Sequence, residues 1–512
     1  MTNPAAPLTI GIISLGCAKN LVDSQVMAGV LLAEKLKLAP SPEEADIILV
    51  NTCAFVEDAR TEAAETILRV CQHKLDGGCR AVIVAGCLPQ RYRDRIVKTF
   101  PDVDAFLGVD ELDRIGEIVR QVLAGERSIL AVGASAPTRL FRPPNPGLRF
   151  SGGPFAYLKV AEGCNHVCAF CAIPGIRGRY RSRTIEELVG EAQALLQSGV
   201  RELNLISQDT TSYGCDLKAS NIRHLAEAQR RRGELVSLEK TNHASRRDSA
   251  PQRETNSPEL LRAAAPLREE LPASSLPALL RALDALDGDF WIRLLYGYPS
   301  LVTDELLATM AASRHIVPYL DLPIQHSHPD MLRAMQRADT VRAVADLPQR
   351  LRQAIPGMVL RTTCIVGFPG ETEEHFQQLL EYVKAAKFDH LGVFAFSPEE
   401  GTAAWDLGEE PDADVAAERC ERLMQAQRQV VDARRQELVG SLADALLIQK
   451  NEERRITNAE SGSLWTARLA RQAPEVDGLT LVRGVADDAK PGGVVRVRIT
   501  GGDEYDLEAV TV

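Results

Sequence analysis

Glu162-Gly-Cys-Asn-His-Val-Cys-Ala-Phe-Cys171 follows directly on an apolar strand predicted over Ala156 to Val160, and it spaces Cys164, Cys168 and Cys171 as Cys-x3-Cys-x2-Cys. Beyond this loop the chain alternates strand-like and helix-like stretches. Further strands are predicted at Glu202 to Ser207, Phe290 to Leu295, Tyr319 to Pro323, Val359 to Val366 and His390 to Phe396. Strands that alternate with helix-length segments predict an α/β fold with a parallel sheet, here an open, partial (βα)6 barrel. Such folds carry their chemistry at the C-terminal ends of the strands, which is where the cysteine loop stands.

On the N-terminal side the same alternation recurs. Strands are predicted at Leu8 to Ser14, Ala45 to Asn51 and Arg80 to Ala85, and helices at Val22 to Lys37, Glu57 to Val70 and Arg91 to Lys98. This makes residues 8–125 a separate parallel α/β domain. A stretch rich in proline, including Arg142-Pro-Pro-Asn-Pro-Gly, marks residues 126–150 as a linker to the second domain at 151–438. Within that domain the pattern breaks at 217–275, where basic and polar residues with few aromatics read as a disordered insertion, or else as a basic arm that touches substrate. A long helix, Ala413 to Leu438, leads to glycine-separated β-like runs such as Gly493-Val-Val-Arg-Val-Arg-Ile-Thr-Gly, so residues 440–512 are expected to form a small barrel of about five strands.

Length supports this division, because 512 residues exceed what one hydrophobic core holds. The N-terminus has no basic region followed by an apolar core, and no apolar run approaches the ~20 residues of a membrane span, so a cytoplasmic protein with no membrane partner is expected. A formal net charge of -11 argues against a chain-wide nucleic-acid footprint. Eleven cysteines in a reducing compartment point to metal or redox chemistry instead of disulfides.

Three thiolates on one tight loop can hold three irons of a 4Fe-4S cluster and leave the fourth iron open. An open iron can chelate S-adenosylmethionine (SAM) and deliver the electron that cleaves it to a hydrogen-abstracting radical. Zinc is the rival, but structural zinc takes four protein ligands, and His166 lies too close within the loop to complete a tetrahedron.

A second trio is dispersed over Ser14-Leu-Gly-Cys17-Ala-Lys-Asn, Val50-Asn-Thr-Cys53-Ala-Phe and Ala85-Gly-Cys87-Leu-Pro. Each cysteine comes just after a predicted parallel strand, where α/β sheets gather cofactor ligands. One such cysteine would read as a small buried hydrophobe; three in the same context read as a ligand set. Cys71, Cys79, Cys215, Cys364 and Cys420 lack that context and read as structural thiols.

Arg361-Thr-Thr-Cys-Ile-Val-Gly-Phe-Pro-Gly-Glu-Thr372 runs a strand into a turn whose Gly367 and Gly370 allow close backbone approach to an adenine or ribose. Leu205-Ile-Ser-Gln-Asp-Thr-Thr-Ser-Tyr-Gly214 ends another strand in polar groups, of which Gln208 and Asp209 suit the SAM amino group. His326 and His328 read as loop-capping residues, since radical hydrogen abstraction needs no acid or base.

These motifs closely resemble the methylthiotransferase family of radical SAM enzymes over nearly the whole chain apart from the insertion. Ser14-Leu-Gly-Cys, Ile206-Ser-Gln-Asp-Thr and Tyr296-Gly-Tyr-Pro are similar to its RimO type and differ from the tRNA-modifying MiaB branch. The resemblance implies two 4Fe-4S clusters, an auxiliary one on Cys17, Cys53 and Cys87 and a SAM-cleaving one on Cys164, Cys168 and Cys171, with a TRAM-like C-terminal barrel. It also implies a transferase that adds a methylthio group to the β-carbon of an aspartate in a small-subunit ribosomal protein, served by a reductant such as a flavodoxin or ferredoxin and by a sulfur donor. One SAM would methylate a sulfur on the auxiliary cluster, and a second would be cleaved to remove hydrogen from the aspartate. A tRNA adenosine methylthiotransferase is the alternative within the family, although nucleic acid is not the expected substrate. An iron-sulfur electron carrier and a non-catalytic RNA-binding protein are the alternatives outside it. A carrier needs no barrel for SAM, and a binding protein needs no six-cysteine arrangement.

Overall fold

The computed structural model describes residues 8–133, 136–145, 147–217, 274–407, 412–451 and 463–512. The insertion expected at 217–275 lies outside these residues except for 217, 274 and 275.

The N-terminal sheet consists of β1 (Thr9–Ser14), β2 (Lys37–Leu38), β3 (Ile47–Thr52), β4 (Ala81–Gly86), β5 (Ala105–Leu107) and β6 (Ile129–Ala131). All pair in parallel, in the order β2-β1-β3-β4-β5-β6. β3 and β4 are buried at every residue, as a parallel sheet with helices on both faces requires. Ile47, Leu49 and Ile83 pack with Met27, Leu31 and Ile118 on one face, while Ile48, Val50 and Val82 pack with Ala63, Ile67 and Val70 on the other.

The boundaries differ from the sequence reading in three informative places. The first helix is Ala18–Ala33, so it starts immediately after Cys17 and ends before Lys35, whose φ of 70° is left-handed. The helix expected at Arg91 to Lys98 is two short helices, Cys87–Tyr92 and Asp94–Thr99, broken at Arg93, where φ is 47°. β6 falls inside the stretch expected as linker, since three residues are too few to show a period.

The second sheet is formed by β7 (Phe155–Lys159), then, after the short antiparallel pair β8 (Ala161–Glu162) and β9 (Arg181–Ser182), by β10 (Glu202–Ile206), β11 (Trp291–Leu294), β12 (Ile316–Asp321), β13 (Val359–Val366) and β14 (His390–Ala395). These six strands run in parallel and in sequence order from β7 to β14, the arrangement of a partial (βα)6 barrel. β12 starts before the predicted Tyr319, because Pro318 masks the pattern. It sits where the β11–β12 register shifts between Ile292 and Leu294, at an irregularity that tolerates a missing N–H.

The C-terminal strands β15 (Leu442–Lys450), β16 (Ser463–Leu469), β17 (Thr480–Val485), β18 (Val494–Asp503) and β19 (Asp506–Thr511) close into a barrel in the order β15-β16-β17-β19-β18, around Leu447, Trp465, Val482 and Val497. No helix among the described residues is long and apolar enough to cross a membrane.

Alternation along the second sheet separates two environments. Leu158, Ile292, Leu320 and Leu360 face the outer helices. Tyr157, Arg293, Tyr319 and Arg361 face the other way and meet the C-terminal domain. Glu202 Oε1 accepts from Arg293 Nε at 2.7 Å, and its other oxygen pairs with Arg468 of β16. Asp477 accepts from the Tyr319 hydroxyl at 2.5 Å and from Arg361 Nε at 3.2 Å. Removing one member of a fully buried charge set leaves the others uncompensated. Glu202→Ala is therefore expected to cost roughly 3–5 kcal/mol, lowering the melting temperature and loosening the C-terminal barrel, which calorimetry and limited proteolysis measure. Glu400→Ala, at the exposed Arg95–Glu400 pair, should leave the melting curve almost unchanged.

Candidate functional site

Cys17, Cys53 and Cys87 stand directly beyond the C-terminal ends of β1, β3 and β4. Gly16 makes the first turn at a φ of +84°, and a Cβ there would lie 2.5 Å from the Cβ of Cys53, so only glycine lets the two loops close together. Asn20 ties the loops: its side-chain amide donates to the carbonyls of Leu15 and Thr52, both at 3.0 Å, and its oxygen lies 3.7 Å from the Cys87 sulfur.

Cys164, Cys168 and Cys171 occupy the loop between β8 and the helix Ile173–Arg177. Gly163 opens the loop at a φ of +79°, where a Cβ would come within 2.2 Å of the Arg179 carbonyl oxygen. The loop is pinned by Cys164 N–H to Gly178 O at 3.1 Å, Cys171 N–H to Cys168 O at 3.0 Å and Ala169 N–H to Met335 O at 3.0 Å. Arg337 reaches the Cys168 sulfur at 3.6 Å and lies 4.3 Å from the Tyr298 ring centre. His166 stacks on the same Tyr298 ring at 3.7 Å and bonds Asp209 at 2.7 Å, so its Nε2 is engaged by a carboxylate.

All six sulfurs line one cavity of about 350 Å³ between the two sheets. Burial pushes the Cys87 and Cys171 thiols up to about 12 and the Cys164 thiol to about 11. They are neutral until a metal replaces the proton. Among the described residues, the metal-ligating group whose ligand atoms all lie within 4.8 Å of one another is that of His328, Asp330 and His375, and neither cysteine trio belongs to it. A single tetrahedral zinc with Zn–S bonds of ~2.3 Å would draw its sulfurs to about 3.8 Å apart. All six thiols are free, as the ligands of an iron-sulfur cluster must be.

A buried ion cluster joins the trios. Lys159 pairs with Asp23 at 2.5 Å and Glu162 at 2.9 Å; Arg177 pairs with the same two carboxylates at 2.7 and 3.2 Å and reaches the Cys87 sulfur at 3.3 Å. Burial works against ionisation of Glu162, but Lys159 and Arg177 prevail and hold its carboxyl well below the usual range. Gln208 donates to Glu162 at 2.7 Å, while its own carbonyl oxygen, buried on the cavity wall, has no hydrogen-bond partner among the described residues.

Lys19 also lines the cavity. Burial alone would lower its pKa, yet Tyr296 and Cys17 raise it above the ordinary value, so the group is an ammonium ion.

The structure thus brings together Gln208, Asp209 and the six cysteines. Gly367 and Gly370 do not line the cavity: the Gly367 amide donates to Glu371, which also holds His326 at 3.1 Å and Arg419 at 2.7 Å. His328 accepts from the Asp330 N–H at 3.2 Å and caps the helix Pro329–Ala334. Cys71, Cys79 and Cys364 are core residues and Cys420 is half-buried, but Cys215 is exposed, so the structural reading fails for that thiol. Lys19, Asp23, Glu162, Arg177, Tyr298 and Arg337 were not singled out by the sequence. Three of them lay inside quoted motifs: Lys19 two positions beyond a strand-end cysteine, Glu162 at the start of the cysteine loop and Tyr298 in Tyr296-Gly-Tyr-Pro.

Known families match in the same three segments: the uncharacterized protein family UPF0004 over residues 9–108, the Radical SAM superfamily over 158–383 and the TRAM domain over 450–512. Curated relatives named ribosomal protein uS12 methylthiotransferase RimO align nearly end to end. That of Geobacter sulfurreducens is 38% identical over 97% of this chain and 97% of its own, and that of Microcystis aeruginosa is 40% identical over 98% of each. Among solved structures, the radical S-adenosylmethionine methyltransferase TsrM from Kitasatospora setae, with cobalamin and a [4Fe-4S] cluster bound, covers 78% of this chain and 74% of its own at 14% identity and a TM-score of 0.47.

The raised thiol pKa values have a direct consequence for the metal-free protein. With Cys87 and Cys171 near 12, against an ordinary ~8.5, the thiolate fraction at pH 8 falls by about a thousandfold. Alkylation of these two residues by iodoacetamide, followed by peptide mass spectrometry, should be at least that much slower than in the urea-unfolded chain and should rise about tenfold per pH unit. Equal rates in the folded and unfolded chains would show that burial does not hold the protons.

Proposed function

The chain belongs to the RimO family of ribosomal protein uS12 methylthiotransferases, and on that premise we propose that it adds a methylthio group to the β-carbon of an aspartate in uS12, in the cytoplasm. It is a radical SAM transferase with a C-terminal TRAM domain. The observation that carries the reading is the convergence of six thiols, three from each α/β domain, on one cavity.

Cys164, Cys168 and Cys171 would hold the 4Fe-4S cluster that binds SAM, and Cys17, Cys53 and Cys87 an auxiliary 4Fe-4S cluster. When bound, the clusters and SAM supply an electron, a hydrogen-abstracting radical and the methylthio group. Around them the chain positions and shields. The unpartnered Gln208 oxygen suits the SAM ammonium group, since a buried acceptor without a donor is costly. The Gly367 to Gly370 turn, outside the cavity wall, is assigned to the adenosine end. Arg177 and Arg337 place positive charge beside Cys87 and Cys168, offsetting the thiolates that metal binding creates. A reductant such as a flavodoxin or ferredoxin and a sulfur donor complete the set of partners.

Charge supports a protein substrate over tRNA. Residues 437–512 contain nine Lys and Arg against thirteen Asp and Glu, a formal -4. Among the described residues of this segment, Lys450, Arg468, Arg471, Arg483 and Arg496 each pair with a carboxylate. Phosphate binding calls for cations that are free to replace counterions.

Two substitutions separate the clusters. Cys168→Ala should abolish 5'-deoxyadenosine formation in the anaerobically reconstituted enzyme and leave the N-terminal cluster's iron in place. Cys53→Ala should do the reverse, still cleaving SAM while forming no methylthio product. Persistent 5'-deoxyadenosine in the first variant, or normal product in the second, defeats the assignment. Offered uS12 and an adenosine-modified tRNA side by side with SAM, reductant and sulfide, the enzyme should add methylthio mass to the protein alone; mass gained only by the tRNA would favour the MiaB-type activity.

A further inference from the structure

Lys19 is more than nine-tenths buried, its side chain opens into the cavity beside Cys17, and its ammonium lies 3.4 Å from the centre of the Tyr296 ring. No carboxylate, carbonyl or hydroxyl bonds that ammonium among the described residues. The two neighbouring cations differ. Arg177 is saturated by Asp23, Glu162 and the Cys87 sulfur, and Arg337 is held by the Pro323 carbonyl at 2.9 Å and the Cys168 sulfur. A buried cation with only a ring face for company is expensive unless an anion completes it.

The backbone is built to hold it there. Tyr296 adopts a φ of 60°, a left-handed conformation that an aromatic residue rarely takes. Two hydrogen bonds enforce it: Tyr296 N–H donates to Asp321 Oδ2 at 3.1 Å, and its carbonyl accepts from Thr210 N–H at 2.8 Å. The strain aims the ring at Lys19, and a cation–π contact keeps the ammonium oriented without neutralising it.

We propose that Lys19 is the specificity residue that binds the side-chain carboxylate of the substrate aspartate, with Tyr296 as its positioning residue. The proposal rests on the reading of an aspartate substrate given above. The carboxylate is bonded to the carbon that reacts, so an ion pair at Lys19, next to Cys17, would hold that carbon between the two trios. SAM has a carboxylate as well, but Arg337, beside Cys168, is the cation placed to meet it, whereas Lys19 stands beside Cys17. Thiolate compensation is a poorer role for Lys19, because its ammonium sits on the Tyr296 ring and not on a sulfur.

A double-mutant cycle tests this in the reconstituted full-length enzyme. Binding of uS12 and of uS12 with its target aspartate changed to Asn is measured for the parent, Lys19→Met and Lys19→Arg. In the parent the Asn change should weaken binding by about tenfold or more, the size of one charge-assisted hydrogen bond. In Lys19→Met it should change binding by less than about threefold, and Lys19→Arg should retain part of the discrimination. Iron content and melting temperature establish that each variant is folded and loaded. The proposal is overturned if Lys19→Met discriminates Asp from Asn as the parent does, or if its defect appears in SAM affinity in place of substrate affinity. Failure of the underlying reading looks different: the parent would then transfer no methylthio group to uS12, whatever residue stands at position 19.

Discussion

Two positive and two negative side chains, Lys159, Arg177, Asp23 and Glu162, are buried together where the N-terminal domain meets the partial barrel. Desolvating any one alone would cost several kcal/mol, but as a neutral set with mutual hydrogen bonds they are tolerated only in one geometry. Asp23 lies on the helix that follows Cys17, and Arg177 on the helix that follows Cys171. Sliding either domain by a residue would separate Asp23 from both Lys159 and Arg177 and leave Glu162 alone against two buried cations. The cluster therefore sets the separation of the two cysteine trios more strictly than apolar packing, which is non-directional, could do. Its contribution is specificity of docking more than net stability.

The interior of the partial barrel carries the same logic to its other end. Tyr157, Arg293, Tyr319 and Arg361 project from β7, β11, β12 and β13 toward a space that a complete barrel would fill with its own aliphatic side chains. Here Glu475 and Asp477 from the β16–β17 connection supply their partners, at 2.6 Å to Tyr157 and 2.5 Å to Tyr319. The C-terminal domain is thus a stopper for one mouth of the barrel, while the N-terminal domain covers the other side. Water exclusion follows from both, and in a dry cavity each remaining charge acts at longer range and greater strength.

What the sequence revealed depended on how local the determining interaction was. The strand ends and both cysteine trios were legible, because a parallel strand shows itself as a short apolar run and its C-terminal end as the next polar or glycine residue. β13 and the helix Ala413–Leu438 have the predicted limits. Pro318 and the three-residue β6 escaped detection because one breaks the pattern and the other is shorter than any pattern. Asp23 and Arg177 escaped for a different reason: each resembles an ordinary charged helix residue until a partner from the other domain pairs with it, 136 positions away for Asp23 and Lys159 and 154 for Asp23 and Arg177. Pairing across domains leaves no periodic trace. At the glycine turn, Gly367 and Gly370 have the positive φ that the sequence suggested, while the bond from the Gly367 amide to Glu371 left no trace in it.

Charge is distributed so that the surface and the cavity have opposite preferences. The chain as a whole carries a formal -11, and the described cations of the C-terminal barrel are largely matched by carboxylates, so at a distance the molecule attracts a basic partner. Within the cavity Arg177 is neutralised by Asp23 and Glu162, which leaves Lys19 and Arg337 against Asp209, the carboxylate of its wall among the described residues. Screening limits the first effect to about a Debye length, ~8 Å in physiological salt, whereas buried or partly buried pairs such as the second are screened much less. A basic protein that offers one acidic side chain satisfies both fields in turn, first by steering and then by pairing. A nucleic acid is repelled by the first, and a neutral side chain gains nothing from the second, so selection against wrong partners is divided between two length scales.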